Sequence, residues 1–91
     1  MKARITLNLT VGGELEIWLN EEGRDLLVRK LQALGETNDH FHLAPSGMGE
    51  VEVSKRPYQP TDRVIEWGKV LFRTDEWDRR YFPHVLDEDA S

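Results

Sequence analysis

The sequence predicts an α+β fold: a single-layer antiparallel sheet of about five strands, in the chain order ββαβββ, with one helix packed on one face. Three observations carry this expectation. Apolar and polar residues alternate over residues 3–10 and 14–19, leucines recur at helical spacing over residues 21–34, and alternation returns at 40–43, 50–53 and, with a slip, 63–73. Strict alternation marks half-buried strands, whereas a repeat of about 3.6 residues marks an amphipathic helix.

In the first strand Ile5, Leu7 and Leu9 oppose Arg4, Thr6, Asn8 and Thr10; in the second, Leu15, Ile17 and Leu19 oppose Glu14, Glu16 and Trp18. Gly12 and Gly13 lie between them and supply the positive backbone angles of a tight turn. Trp18 stands alone on the polar side, a ring expected to pack under a loop or the tail. Asn20 is a good N-cap, and Glu21, Glu22 and Asp25 put negative charge where the helix dipole favours it. Leu27, Leu31 and Leu34 form the inward stripe of a helix over 21–34, with Gly35 expected at the C′ position.

The stretch 38–54 reads as two strands joined by a turn. Phe41, Leu43, Val51 and Val53 share one face and His40, His42, Glu50 and Glu52 the other. Two prolines, Pro57 and Pro60, fix the following loop. A fifth strand over 63–73 changes parity between Ile65/Trp67 and Val70/Phe72, and a bulge near Gly68 brings all four to the core. Sequential hairpins and a right-handed crossover favour the strand order 2-1-3-4-5, every neighbour antiparallel. The expected core is Ile5, Leu7, Leu15, Ile17, Leu27, Leu31, Leu34, Phe41, Leu43, Val51 and Val53. The opposite face is open, to be left wet, covered by the tail, or used against a partner.

Asp39-His40-Phe41-His42-Leu43, followed by Pro45-Ser46 and a glycine-containing turn into Glu50, resembles the immunity protein 32 family of bacterial polymorphic-toxin systems, and the element order over residues 5–72 is similar. The resemblance implies a small cytoplasmic binding protein that neutralises a cognate toxin by occlusion, without a cofactor.

Composition sets independent bounds. Ninety-one residues make one small domain, 1–74, followed by an acidic, aromatic-containing tail, 75–91, expected to be partly docked with 87–91 loose. The tail holds six acids and two bases, against eleven and ten in residues 1–74, and the net charge is -5. A pI near 5.1 argues against nucleic-acid binding and suits a basic protein partner. The absence of cysteine excludes disulfides and thiolate chemistry and suits a reducing cytoplasm. No apolar run approaches the roughly 18 residues of a membrane span.

For chemistry, His40, His42, Glu50 and Glu52 have the ligand types of a divalent-metal site. Residues two apart on a strand are about 6.5 to 7 Å apart, however, so joint ligation needs their side chains to converge on a third group; cross-strand hydrogen-bonded pairs are the other reading. Ser46-Gly47-Met48-Gly49 joins strands and opens no helix, which makes it a turn rather than a phosphate loop. Without a nucleophile motif no enzyme is expected. The expected function is partner binding through Trp18, His40, His42, Glu50, Glu52, Trp77, Tyr81 and Phe82, with a metal-binding module or enzyme on the histidine face as the alternative. Self-association into a homodimer stays open. The tail aromatics either anchor a partner or cover Trp18 and finish the core.

Overall fold

The computed structural model describes residues 2–86, and the expected looseness of 87–91 lies outside them. The elements are β1 (Ile5–Leu9), β2 (Leu15–Leu19), α1 (Glu21–Gln32), β3 (His40–Ala44), β4 (Val51–Glu52), β5 (Arg63–Val64), β6 (Gly68–Leu71) and α2 (Asp75–Tyr81), followed by a 3-10 turn at Pro83–Leu86. The class is α+β, as the alternation patterns predict. In place of one five-stranded antiparallel sheet, the described residues form two three-stranded sheets, ordered β2-β1-β5 and β4-β3-β6.

β1 and β2 form the expected antiparallel hairpin, with Leu7 opposite Ile17. Gly13 takes a φ of 92°, and Thr10 closes the turn by accepting the Glu14 N–H on its hydroxyl at 3.0 Å. Asn20 caps α1 by accepting the Gly23 N–H at 2.8 Å. The C-terminus of α1 departs from expectation: the helix ends at Gln32, and the Asn38 side-chain amide, not a left-handed Gly35, satisfies the Ala33 carbonyl at 2.9 Å.

The 38–54 stretch is not an antiparallel hairpin. β4 lies parallel to β3, with Leu43 opposite Val51 and Ala44 opposite Glu52. The reversal is built into the linker. Pro45 lacks an N–H and stops β3, Gly47 turns the chain with a φ of 79°, and Gly49 passes so close to Ala44 and His42 that a Cβ there would lie 3.0 and 3.2 Å from their Cβ atoms. Face assignment nevertheless survives: Phe41, Leu43, Val51 and Val53 are buried, and both histidines are exposed.

The predicted fifth strand is divided between the two sheets. β5 pairs with β1 and β6 with β3, both antiparallel, and residues 65–67 cross between them where a bulge was expected. Ile65 and Val70 pack against the core, whereas Trp67 and Phe72 are exposed. β1 and β3 are not neighbours, because the chain after β4 runs beside β1, with the Ser54 N–H donating to Ile5 O at 2.8 Å.

Ile5, Leu7, Phe41, Leu43, Val51 and Val53 form the core under Leu26, Leu27 and Leu34. Leu15, Ile17 and Leu31, expected inside, are each about half exposed. The reason is where α1 sits. Gly23 is buried so tightly against Arg4, the residue before β1, that an added Cβ would overlap the Arg4 carbonyl, and the α1 side chains that reach the core, Leu26, Leu27 and Leu34, pack on a cluster of which Leu15 and Ile17 are not part. Nor is the second face of the first sheet open. Thr6 and Asn8 are buried on it, and Asn8 Oδ1 accepts the Tyr58 N–H of the 53–62 loop at 3.1 Å.

Two stability outcomes follow from this packing. Ile5→Ala, at a residue 1% exposed, should cost about 2 to 5 kcal/mol in denaturant unfolding, and Leu31→Ala, at 47% exposure, well under half of that. Gly23→Ala reverses the usual propensity. Alanine is better than glycine by about 1 kcal/mol in an open helix, but here the methyl group has no room, so the midpoint should fall.

Candidate functional site

β3 alternation sends both histidine rings to the outer face, where they meet edge to face at a centroid distance of 5.1 Å. Pairing with β6 uses the Phe41 and Leu43 backbone groups, so the His42 N–H points to the β4 side, one residue before β4 begins. Glu50 fills that gap. Its Oε1 accepts the His42 N–H at 2.8 Å and lies 3.2 Å from Nδ1 of the same residue. The backbone N–H is the main reason the Glu50 carboxyl drops from its ordinary 4.5 to about 2, with the imidazole adding to it.

On the other side of the histidine pair, His40 Nδ1 lies 2.8 Å from Asp39 Oδ1, and Arg73 Nη1 lies 2.9 Å from Asp39 Oδ2. The His40 hydrogen bond, and secondarily the Arg73 charge, hold the Asp39 carboxyl below its usual range. Arg73 also donates to the Phe72 carbonyl at 2.8 Å and stacks its guanidinium over Trp77, 4.5 Å from the ring centre. Trp77 in turn contacts Tyr81 and Phe82 at centroid distances of 4.7 and 5.5 Å. The Thr74 hydroxyl caps α2 by accepting the Trp77 N–H at 3.1 Å, and Trp77 and Tyr81 share a helical turn as their spacing predicts.

These contacts form one strip from Glu50 through His42, His40, Asp39 and Arg73 to the aromatic cluster of α2. Its α2 end borders a cleft of about 440 Å³ lined by Asp39, Arg73, Trp77, Arg80 and Tyr81, among others. Six of the eight residues singled out by sequence thus come together: His40, His42, Glu50, Trp77, Tyr81 and Phe82. Glu52 does not, because it belongs to the parallel strand and pairs with Lys2 at 3.4 Å. Trp18 does not either; it stacks on Tyr58 at 4.0 Å, so a loop covers it rather than the tail. Among the described residues, no group of three or more His, Cys, Asp and Glu side chains is arranged to hold a metal ion.

Sequence reasoning missed Asp39 and Arg73, the two residues that join sheet to tail. An arginine at the junction between a strand and an aromatic segment was the available signal. It also missed a cleft of about 500 Å³ where Lys2, Arg4, Lys55 and Arg56 converge beside Glu52, because these cations come from two distant stretches.

No helix among the described residues is long and apolar enough to cross a membrane. No family model matches the chain, and neither the curated proteins nor the solved structures contain a match to it.

The pH dependence of Glu50 gives a direct check. Its folded-state value is depressed, so the unfolded chain binds the extra proton first, and the stabilisation is present above pH 4.5 and lost as pH falls toward about 2. Glu50→Gln keeps an acceptor for the His42 N–H but removes the titration. Its unfolding free energy should therefore fall less steeply across that window than the wild type's, measured by urea denaturation at stepped pH.

Proposed function

We propose that this protein is a protein-binding module that uses the strip from Glu50 to Phe82 as its recognition surface. The observation that carries this reading is the arm formed by α2 and the final 3-10 turn. Tyr81, Phe82 and Val85 are 55%, 46% and 58% exposed, and the arm joins the body through Arg73 rather than by burying its rings. Large exposed aromatic side chains beside charged groups are the usual anchors of protein interfaces. The first turn of α2 carries Asp75, Glu76 and Asp78 and its last turn Arg79 and Arg80, with the Arg80 guanidinium 5.7 Å from the centre of the Tyr81 ring. The acids of the first turn, in a chain of net charge -5, suit a basic partner, with the rings supplying desolvated contact and the acids steering the encounter.

The narrower form of the proposal is a cytoplasmic immunity protein that neutralises a cognate bacterial toxin by occlusion, without catalysis or a cofactor. It rests on the resemblance carried by Asp39-His40-Phe41-His42-Leu43 and the turn into Glu50, whose residues form the β3 end of the strip. Occlusion requires an accessible, preorganised surface, and the paired carboxylates and stacked Arg73 supply the preorganisation.

The test is binding of the full chain to a polymorphic toxin encoded beside it, with Tyr81→Ala and Phe82→Ala as probes. Truncating an aromatic anchor costs about 2 kcal/mol or more, so affinity should drop roughly thirtyfold and protection of toxin-expressing cells should weaken. Unchanged affinity in both variants would remove the arm from the interface.

A further inference from the structure

The outer edge of the first sheet is β2, with β1 on one side and, among the described residues, no strand on the other. Its backbone phase is fixed at both ends, where the Thr10 N–H donates to Glu14 O at 3.0 Å and the Asn20 N–H to Arg4 O at 3.2 Å. Closely bonded pairs alternate along an antiparallel ladder. Glu16 and Trp18 therefore turn their N–H and C=O groups toward β1, while Leu15, Ile17 and Leu19 turn theirs outward. The same three residues carry half-exposed aliphatic side chains, 51%, 52% and 40% accessible.

The helix extends this surface. Arg24, Val28 and Leu31 follow one another at helical spacing along α1, and Arg24 shares a shallow pocket with Leu19, which places this flank beside β2. Val28 and Leu31 are exposed as well. Edge strands are ordinarily protected by proline, lysine, a bulge or a covering element. The β2 sequence Leu-Glu-Ile-Trp-Leu has neither proline nor lysine, and its pairing with β1 runs without a bulge.

We infer that β2 pairs with β2 of a second copy of this chain, antiparallel about a two-fold axis at Ile17, to give a continuous six-stranded sheet. The register is self-complementary. Ile17 meets Ile17, Leu15 meets Leu19, and the outward backbone groups of all three residues fall into closely bonded pairs, giving about six interchain hydrogen bonds. No like charges face each other. Glu16 falls opposite Trp18 of the second copy, a combination already compatible within one chain, where the indole N–H donates to Glu16 Oε1 at 3.0 Å; Glu14 falls opposite Asn20. The strip of the proposed function belongs largely to the other sheet and to α2, so pairing through β2 leaves it free.

The experiment is sedimentation of the full chain over a range of concentrations, compared with Ile17→Lys, which places two ammonium groups at the axis. The wild type should sediment as a dimer and the variant as a folded monomer, with circular dichroism melting confirming the fold. A second variant uses the absence of cysteine from the sequence. Ile17→Cys should form an interchain disulfide on mild oxidation, since the facing Cα atoms of a closely bonded pair are about 5.5 Å apart, within disulfide reach, whereas Val11→Cys in the exposed turn should not. A monomeric wild type, a dimer unaffected by Ile17→Lys, or equal crosslinking at 11 and 17 would overturn the assignment.

Discussion

The structure depends on how one buried amide is satisfied. Asn8 sits one residue from the end of β1 with its side chain wholly buried, and an amide in that position requires partners on both its oxygen and its nitrogen. It finds them in three parts of the chain: Nδ2 donates to Glu16 Oε1 at 2.9 Å and to Asp62 Oδ2 at 2.7 Å, and Oδ1 accepts the Tyr58 N–H. Those bonds hold the 53–62 loop over the face of β1 opposite the helix. With the loop in place, Tyr58 reaches Trp18, and the position of β5 beside β1 follows from Asp62, the residue before it. β1 is consequently covered on both faces, although its sequence alternates like a strand with one wet side.

Much of the fold was legible because it is written at short range. Alternation at Phe41 and Leu43 identified which way β3 faces, Asn20 marked the start of α1, and the four-residue spacing of Trp77 and Tyr81 fixed their contact. Pairing was less legible, since the same alternation serves either direction. Glu50 and Val51 read equally well as the start of an antiparallel partner or of a parallel one, and the decision lay in Pro45, Gly47 and Gly49 acting together. Burial of β2 failed for a different reason. Whether Leu15 and Ile17 are covered depends on where the helix axis lies, and the close fit of Gly23 against the carbonyl of Arg4, a residue outside the helix, is a contact that alternation does not show.

The candidate site shows the same division. Its histidines and aromatics were visible as residue types on predictable faces. Their joining was not, because it runs through Asp39, just before β3, which is bound at once by its neighbour His40 and by Arg73 from beyond the end of β6. That arrangement lets a small domain position an arm without burying it. Charge-assisted contacts and a stacked guanidinium set the direction of α2, while its rings stay accessible for contact with something else.

The three tryptophans are distributed in a way that makes the molecule optically informative. Trp18 lies flat on a phenol ring, Trp77 lies against a guanidinium, and Trp67, in the crossing between β5 and β6, is 60% exposed. Each indole therefore reports on a different join: loop to sheet, arm to body, and sheet to sheet. Emission from chains retaining one indole at a time would follow these joins separately, and differences in their loss on heating would reveal whether the two small sheets come apart together or in sequence.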